Sequence, residues 1–200
     1  MNAVVTQRAH TATQILKQLA GTPLRGAYEQ LIRSRYAAVH GAELLEFMPS
    51  LLGVIGARGE PLAVLGYQSA AAGPLFLEQY LDAPIEQILS CRDEALGSSM
   101  RFDRQRIVEV GNFASNDNSA TMELVRRLPD FLAREGFEWL VFTGTPRVCT
   151  LVKSFGAPLL DLGGADAGKL RSGADRWGRY YDSAPRVMAG WLGHCARVAA

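Results

Sequence analysis

No uninterrupted hydrophobic run in this 200-residue chain reaches the roughly 20 residues that cross a bilayer, which argues against a helical membrane span. Met1 to Arg8 hold no apolar core of the kind a secretory signal peptide carries. Cysteine is scarce. Cys91, Cys149 and Cys195 are an odd number, far apart and without CxxC spacing. That excludes a disulfide framework and gives no reason to expect a zinc or other metal site; free thiols in a reducing compartment are the simpler reading. An excess of one charge is missing as well. A formal net charge of +1 gives nothing to draw nucleic acid or another polyanion. The expectation is a cytoplasmic protein with no integral membrane segment. What remains, 48% hydrophobic and 20% charged residues, suits one α/β or α+β domain with a sizeable core.

The chain is organised around Ile107-Val108-Glu109-Val110-Gly111-Asn112-Phe113-Ala114-Ser115. Its β-branched residues predict a buried strand running out into a polar turn and then a helix. On the pleat, Val108, Val110, Asn112 and Ala114 share one face; Ile107, Glu109, Gly111 and Phe113 share the other. A carboxylate on such a strand must find a partner or shift its pKa. A glycine there marks a bulge or a close approach. Two readings stay open at this point. Either Glu109 pairs with an arginine and Gly111 is a bulge, or a ligand binds where strand meets helix.

Along the chain, a short strand is expected over Ala3 to Arg8 and a weak helical segment over Thr13 to Ala20. A helix opens at Pro23, with Leu24, Tyr28, Leu31 and Ile32 on one face, and runs to His40, where Gly41 stops it. Arg33, Arg35 and Tyr36 near its end are either a solvated basic turn or a carboxylate or phosphate site. Leu51 to Ala57 and Leu62 to Ser69 form a hairpin around Arg58-Gly59-Glu60-Pro61. Leu75 to Asp82 alternates like a third strand, placing Phe76, Glu78, Tyr80 and Asp82 on one face. Asp82 serves equally as N-cap of the following helix, Ala83 to about Leu96, with Pro84 in its first turn.

Arg101, Arg104 and Arg106 precede the central strand, and Ser115-Asn116-Asp117-Asn118-Ser119 follows it as a turn dense in capping residues. The next helix carries Leu124, Val125, Leu128, Phe131 and Leu132, with Pro129 expected to kink or restart it. Phe137 to Thr143 is the next strand, so strand, helix and strand make a βαβ unit with parallel strands. A short helix (Arg147 to Phe155), a strand near Pro158 to Leu162 and a loop over Gly163 to Asp175 follow. The last strand comes from Trp177 to Tyr181 or from Arg186 to Leu192.

This order of elements resembles the GNAT acyltransferase superfamily. At residue level, Pro23-Leu24-Arg25, Arg35-Tyr36, Gly41-Ala42, Phe47-Met48-Pro49, Leu75 through Glu86, Ile107 through Ala114 and Trp139 through Thr143 look like the thermostable hemolysin family, over about Pro23 to Leu192. That family is similar in outline to acyl-homoserine-lactone synthases. The resemblance implies an α+β fold: a GNAT-like mixed twisted sheet with a central parallel strand-helix-strand unit and helices on both faces. It also implies one domain over 1–200, with 1–22 a variable N-terminal segment.

The chemistry so implied is transfer of a fatty acyl group from an acyl thioester, on acyl carrier protein or coenzyme A, to a small amine such as an amino acid. The thioester is a co-substrate, and no permanently bound cofactor is expected. Glu109 and Glu78 are the candidate bases. Tyr80 is the candidate acid, with Tyr180 and Tyr181 able to fill the same role. The backbone of Val110, Gly111, Asn112, Phe113, Ala114 and Ser115 would hold the thioester and its oxyanion. Arg33, Arg35, Tyr36, Phe76, Asp82, Thr143 and Trp177 are the candidate substrate-binding residues. The turn Ser115 to Ala120 departs from the superfamily: it has no glycine, and Asp117 repels phosphate, which tells against a pyrophosphate cradle. Arg101, Arg104, Arg106, Arg126 and Arg127 offer a surface for an acidic carrier protein, or are simply solvated. A membrane-active hemolysin without enzymatic activity, as the family name implies, is the alternative; it needs an amphipathic or spanning element, and the sequence has no such signal.

Overall fold

The strand that begins at Ile107 lies at the centre of a seven-stranded sheet in the computed structural model, which describes residues 14–95, 102–156 and 158–194. The strands are β1 (Gln14–Gln18), β2 (Ser50–Ile55), β3 (Pro61–Ser69), β4 (Ile107–Ser115), β5 (Trp139–Gly144), β6 (Leu159–Gly164) and β7 (Arg186–Trp191), in spatial order β1-β2-β3-β4-β5-β7-β6. Only β4 and β5 pair in parallel; every other neighbouring pair is antiparallel. The fold is α+β, with a mixed sheet and a central parallel strand-helix-strand unit.

Four helices cover the two faces among the described residues. On one face, α1 (Arg25–His40) packs Tyr28, Leu31 and Ile32 onto Leu51, Val64 and Ala114, while α2 (Ile85–Ala95) packs Ile85 and Leu89 near Ile107, Val141 and Val187. On the other, α3 (Asn118–Arg134) sends Ala120, Leu124, Leu128 and Leu132, spaced four apart, against β2, β3 and β4. Leu124 and Leu132 are fully buried, each stabilising the fold by about 1.5–3 kcal/mol. Val148 and Cys149 of α4 (Pro146–Lys153) join the same cluster. The α3 helix is continuous across Pro129, so the expected restart does not occur.

Two local features shape the centre. The β4–β5 ladder pairs Ile107 to Val110 with Trp139 to Phe142 and stops there. Beyond it β4 stays with β3 and β5 stays with β7, so the two strands part at their C-terminal ends. Opposite Leu65, β4 also carries a bulge: Val64 pairs with Ala114 but Gly66 with Gly111. Asn112 takes a φ of 49° there, a left-handed conformation that asparagine tolerates better than most residues. The extra residue exchanges the faces that simple alternation assigns. Phe113 joins Val108 and Val110 on the α3 side, and Ala114 goes under α1.

Three further segments differ from the sequence expectation. Leu75 to Asp82 is not a strand, because Phe76–Tyr80 forms a 3-10 helix whose N–H groups are taken by carboxylates rather than by a neighbouring strand. Thr13 to Ala20 contains an edge strand, Gln14–Gln18, because β2 offers it five paired positions that an isolated short helix lacks. Trp177 to Tyr181 lies in 3-10 turns, and β7 supplies the strand. The strand expected over Ala3 to Arg8, Leu96 and Arg101 lie outside the described residues.

Candidate active site

β4 buries one carboxylate, and the geometry of the site starts from it. Glu109 is 2% exposed and makes no ion pair among the described residues. Its Oε2 accepts the Phe76 N–H at 2.8 Å and the Gln68 amide at 3.3 Å, and its Oε1 accepts the Leu77 N–H at 3.0 Å. Burial pushes the Glu109 carboxyl up to about 7. The N–H groups of Phe76 and Leu77 and the Gln68 amide restrain that rise, and the charge of Glu78 adds to it. A carboxylate poised near neutrality can take a proton from an incoming group and release it again.

Two cavities meet at the parting of β4 and β5. The smaller, of about 370 Å³, has Glu109, Phe76, Tyr80, Trp177, Gln68 and Asn112 in its wall. The larger, of about 1140 Å³, runs between α3 and α4 and is lined by apolar groups such as Val110, Phe113, Val125, Leu128, Leu140 and Phe142. Tyr36, Val110, Gly111, Thr143 and Tyr180 line both. The two chambers therefore adjoin at the strand gap. Thr143 Oγ1 is buried there without a hydrogen-bond partner among the described residues, a polar atom available to a ligand.

Aromatic rings build the wall of the smaller cavity. Trp177 lies 5.5 Å from Phe76, 5.2 Å from Tyr180 and 6.3 Å from Tyr36, centroid to centroid. The Tyr80 and Tyr181 hydroxyls share a hydrogen bond of 2.6 Å. Burial raises the pKa of both phenols, and in Tyr80 the Tyr181 hydrogen bond raises it further, so both stay neutral near pH 7. Burial also lifts Tyr36 to about 12.

The residues expected to form the site are not all brought together. Glu109, Tyr36, Phe76, Tyr80, Thr143, Trp177, Val110, Gly111 and Asn112 line the smaller cavity; Arg35, Phe113, Ala114 and Ser115 line the larger. Glu78 does not line either one. Its carboxylate binds Arg104 at 2.6 Å and accepts the N–H groups of Leu75 and Ile85 at 2.8 and 2.9 Å. Burial works to raise the Glu78 pKa, but Arg104 and those N–H groups outweigh it, and the carboxyl is held below the usual range. Asp82 sits outside, paired with Lys169 at 3.0 Å, and Arg33 is spent on the Leu44 carbonyl and the Phe47 ring. Arg106 pairs with Glu138, and Arg126 and Arg127 both pair with Glu123.

Some members of the wall carry no signal in the sequence alone. Gln68 is one, and its position follows from register, since it stands directly across from Glu109 in the β3–β4 ladder. Met48 is another. Its methyl lies where a Cβ on Gly111 would be 2.8 Å away, and its N–H donates to Asn112 Oδ1 at 2.9 Å, which seats the loop between α1 and β2 on the cavity. At the start of α3, Asp117 caps the helix itself, accepting the Ala120 N–H at 2.7 Å, so a carboxylate occupies the position a phosphate would take. Among the described residues no group of three His, Cys, Asp or Glu side chains is placed to hold a metal, and no helix is long and apolar enough to cross a membrane.

The sequence profile of the thermostable hemolysin family matches residues 19–196. No curated protein sequence matches the chain. Among solved structures, the AHL synthase LasI is 14% identical with a TM-score of 0.58, over 90% of this chain and 89% of that one. The N-acyl amino acid synthase FeeM, from uncultured soil microbes, is 14% identical with a TM-score of 0.58, over 93% and 94%. A putative N-acetyltransferase from Lactobacillus plantarum is 12% identical with a TM-score of 0.55, over 90% and 99%. At these identities the likeness is one of fold, which is GNAT-like.

Proposed function

The chain belongs to the thermostable hemolysin family, and on that premise we propose that it is an N-acyltransferase, moving a fatty acyl group from an acyl thioester to a small amine such as an amino acid. The observation that carries this reading is Glu109. It is a buried carboxylate with no ion-pair partner among the described residues, raised to about 7, in a cavity that adjoins a larger apolar one at the parted β4 and β5 strands. Fold-level likeness to a family of acyl-transferring synthases supports it by analogy alone.

In this reading the acyl chain lies in the larger cavity and the thioester carbonyl in the strand gap. The amine sits in the smaller cavity and gives a proton to Glu109, directly or through a water. Its nitrogen then attacks the carbonyl carbon. The C–N bond forms, the carbonyl electron pair moves to oxygen, and β4 backbone N–H groups past Val110, freed of the β5 ladder, meet the developing oxyanion. Collapse breaks the C–S bond. The thiolate, with an unperturbed thiol pKa near ~8.5, leaves readily and takes the second proton that the nitrogen loses as it becomes an amide, so Tyr80, hydrogen-bonded to Tyr181, serves better as a neutral part of the wall than as an obligatory acid.

Asp117 disfavours a pyrophosphate at the α3 N-terminus, which favours an acyl carrier protein arm with its single phosphodiester. The family's haemolytic label fits the product of such a reaction: an acylated amine is a single-chain amphiphile, and such molecules disrupt bilayers. The reading is tested by mixing the protein with acyl thioesters and amines and measuring free thiol; release that depends on the amine is expected.

A further inference from the structure

Arg176 lines the smaller cavity at its exposed side, and its guanidinium has no hydrogen-bond or ion-pair partner among the described residues. Most cavity arginines are otherwise engaged or lie elsewhere: Arg126 pairs with Glu123, and the uncommitted Arg35 and Arg147 line the larger cavity. Among the described residues, Arg176 is the one Lys or Arg in the wall of the chamber that holds Glu109.

Its main chain is held firmly in place. The Arg176 carbonyl accepts the Glu43 N–H at 2.7 Å, and its own N–H donates to the Gly173 carbonyl at 3.1 Å. Two residues on, Gly178 has a φ of 53° and lies so close to the end of α1 that a Cβ would be 2.2 Å from the His40 carbonyl oxygen. The next residue donates its N–H, Arg179 to His40, at 2.8 Å. A turn clamped this tightly to α1 fixes where the Arg176 side chain starts. The adjacent Trp177 ring reaches Phe76, whose N–H is bound by Glu109, so one continuous wall leads from the arginine to the base.

Resting on the acyltransferase reading above, we infer that the acceptor is an amino acid with a large apolar side chain, and that Arg176 selects it by binding its α-carboxylate. A zwitterion then enters with its ammonium toward Glu109 and its carboxylate toward the guanidinium, and its side chain lies along the Trp177 and Phe76 rings. A planar guanidinium matches a carboxylate in a two-pronged contact that a lysine cannot reproduce. Glu43 and Glu46, exposed in the same wall, penalise an acceptor that carries a second carboxylate. Arg176 here is a specificity-determining residue, and the reaction itself stays with Glu109.

The test compares matched acceptors that differ only by the carboxylate: leucine against 3-methylbutylamine, and phenylalanine against 2-phenylethylamine. Free thiol released from a decanoyl thioester is the readout. Wild-type protein should prefer the amino acid of each pair in kcat/KM, mainly through KM. In Arg176→Gln that preference should fall about ten-fold or more, since a charge-assisted contact is worth ~1.5–3 kcal/mol, and Arg176→Lys should restore part of it. Because the two acceptors are compared in one protein, a loss of folded material lowers both alike and leaves the ratio untouched. Preference for the carboxylate-free amines in the wild type, or an unchanged ratio in Arg176→Gln, overturns the inference while leaving acyl transfer standing. No amine-dependent thiol release from any pair overturns acyl transfer and this assignment together.

Discussion

Glu109 Oε2 accepts the backbone N–H of Phe76 at 2.8 Å, tying the central strand to a 3-10 turn 33 residues earlier in the chain. The bond does two things at once. It replaces part of the hydration that burial removes from the carboxylate, and it sets the Phe76 ring in the wall of the Glu109 cavity. Glu78 is treated differently. It collects the N–H of Leu75 at the start of that turn and of Ile85 in α2, but Arg104 neutralises it, and the two carboxylates of one neighbourhood end with pKa values moved in opposite directions.

Replacing Glu109 by Gln should lower kcat/KM by roughly 10²–10⁴-fold, the usual contribution of a positioned base. The amide keeps the shape of the side chain, so circular dichroism should still report a folded protein. Retention of more than a tenth of the wild-type rate would remove Glu109 from the role of base.

The pH profile follows from the same group. The base must be ionised, so kcat/KM should climb with pH through a midpoint near 7, and the Gln variant should lack that limb. Stability should show the mirror image. A carboxyl raised from 4.5 to about 7 binds its proton more tightly in the folded state. The folded state is therefore favoured below pH 4.5 and loses about 3 kcal/mol as pH rises to 7, after which the effect is flat. Thermal melting from pH 4.5 to 7.5 should show wild type losing ground to Glu109→Gln across that window.

Arg104 has the opposite signature. Removing it in Arg104→Ala leaves Glu78 and Glu86 without the cation that binds both, at 2.6 and 2.5 Å. A loss of roughly 1–3 kcal/mol is expected, seen as a melting point several degrees lower. Glu78, whose pKa is depressed, adds stability above its ordinary 4.5 that is lost as pH falls through the folded value. The gap between wild type and Arg104→Ala should therefore narrow in acid. A gap that widens in acid would contradict the pairing.

Gly66 faces Met48 Cβ and Asn112 Oδ1, and a Cβ there would lie 2.8 and 3.0 Å from them. Gly66→Ala should push the loop between α1 and β2 off the sheet, costing roughly 1–3 kcal/mol. Since that loop lines the smaller cavity and not the larger, KM for the amine should rise more than KM for the acyl donor. Equal rises would place the loop's influence elsewhere.

Lysis should belong to the product. Organic extracts of cells expressing the wild-type chain should lyse erythrocytes, and extracts of Glu109→Gln cells should not. Burial of each acyl methylene is worth ~0.8 kcal/mol, enough for a medium or long chain to partition into bilayers. Lysis by purified, lipid-free protein, equal in the variant, would restore a directly acting toxin.

The sequence carries the sheet's centre well. β-branched residues mark β4 and β5, the helix between them has apolar residues spaced four apart, and the connection makes the pair parallel, as found. It misleads at Leu75 to Asp82, where leucines alternate as in a strand. There the distant carboxylate of Glu109 and the segment's own Glu78 take three N–H groups, those of Leu75, Phe76 and Leu77, that a strand would give to a neighbour. Gly111 announces a bulge or a close approach, but nothing local says that Asn112 takes the left-handed turn or that the faces of Phe113 and Ala114 reverse. Glu109 itself stands out from sequence as a carboxylate in an apolar strand, but that Arg104 pairs with Glu78 and Glu86 and not with Glu109 is set by contacts between segments far apart in the chain.

The central claim, that this fold transfers an acyl group with Glu109 as base, is met most directly by following free thiol from a fatty acyl thioester presented on acyl carrier protein or coenzyme A, with and without an amino acid. The account predicts thiol release that requires the amino acid, is matched by an N-acyl product of the summed mass less the thiol, and is lost in Glu109→Gln. Amine-independent release, or equal release by the folded Gln variant, would contradict it.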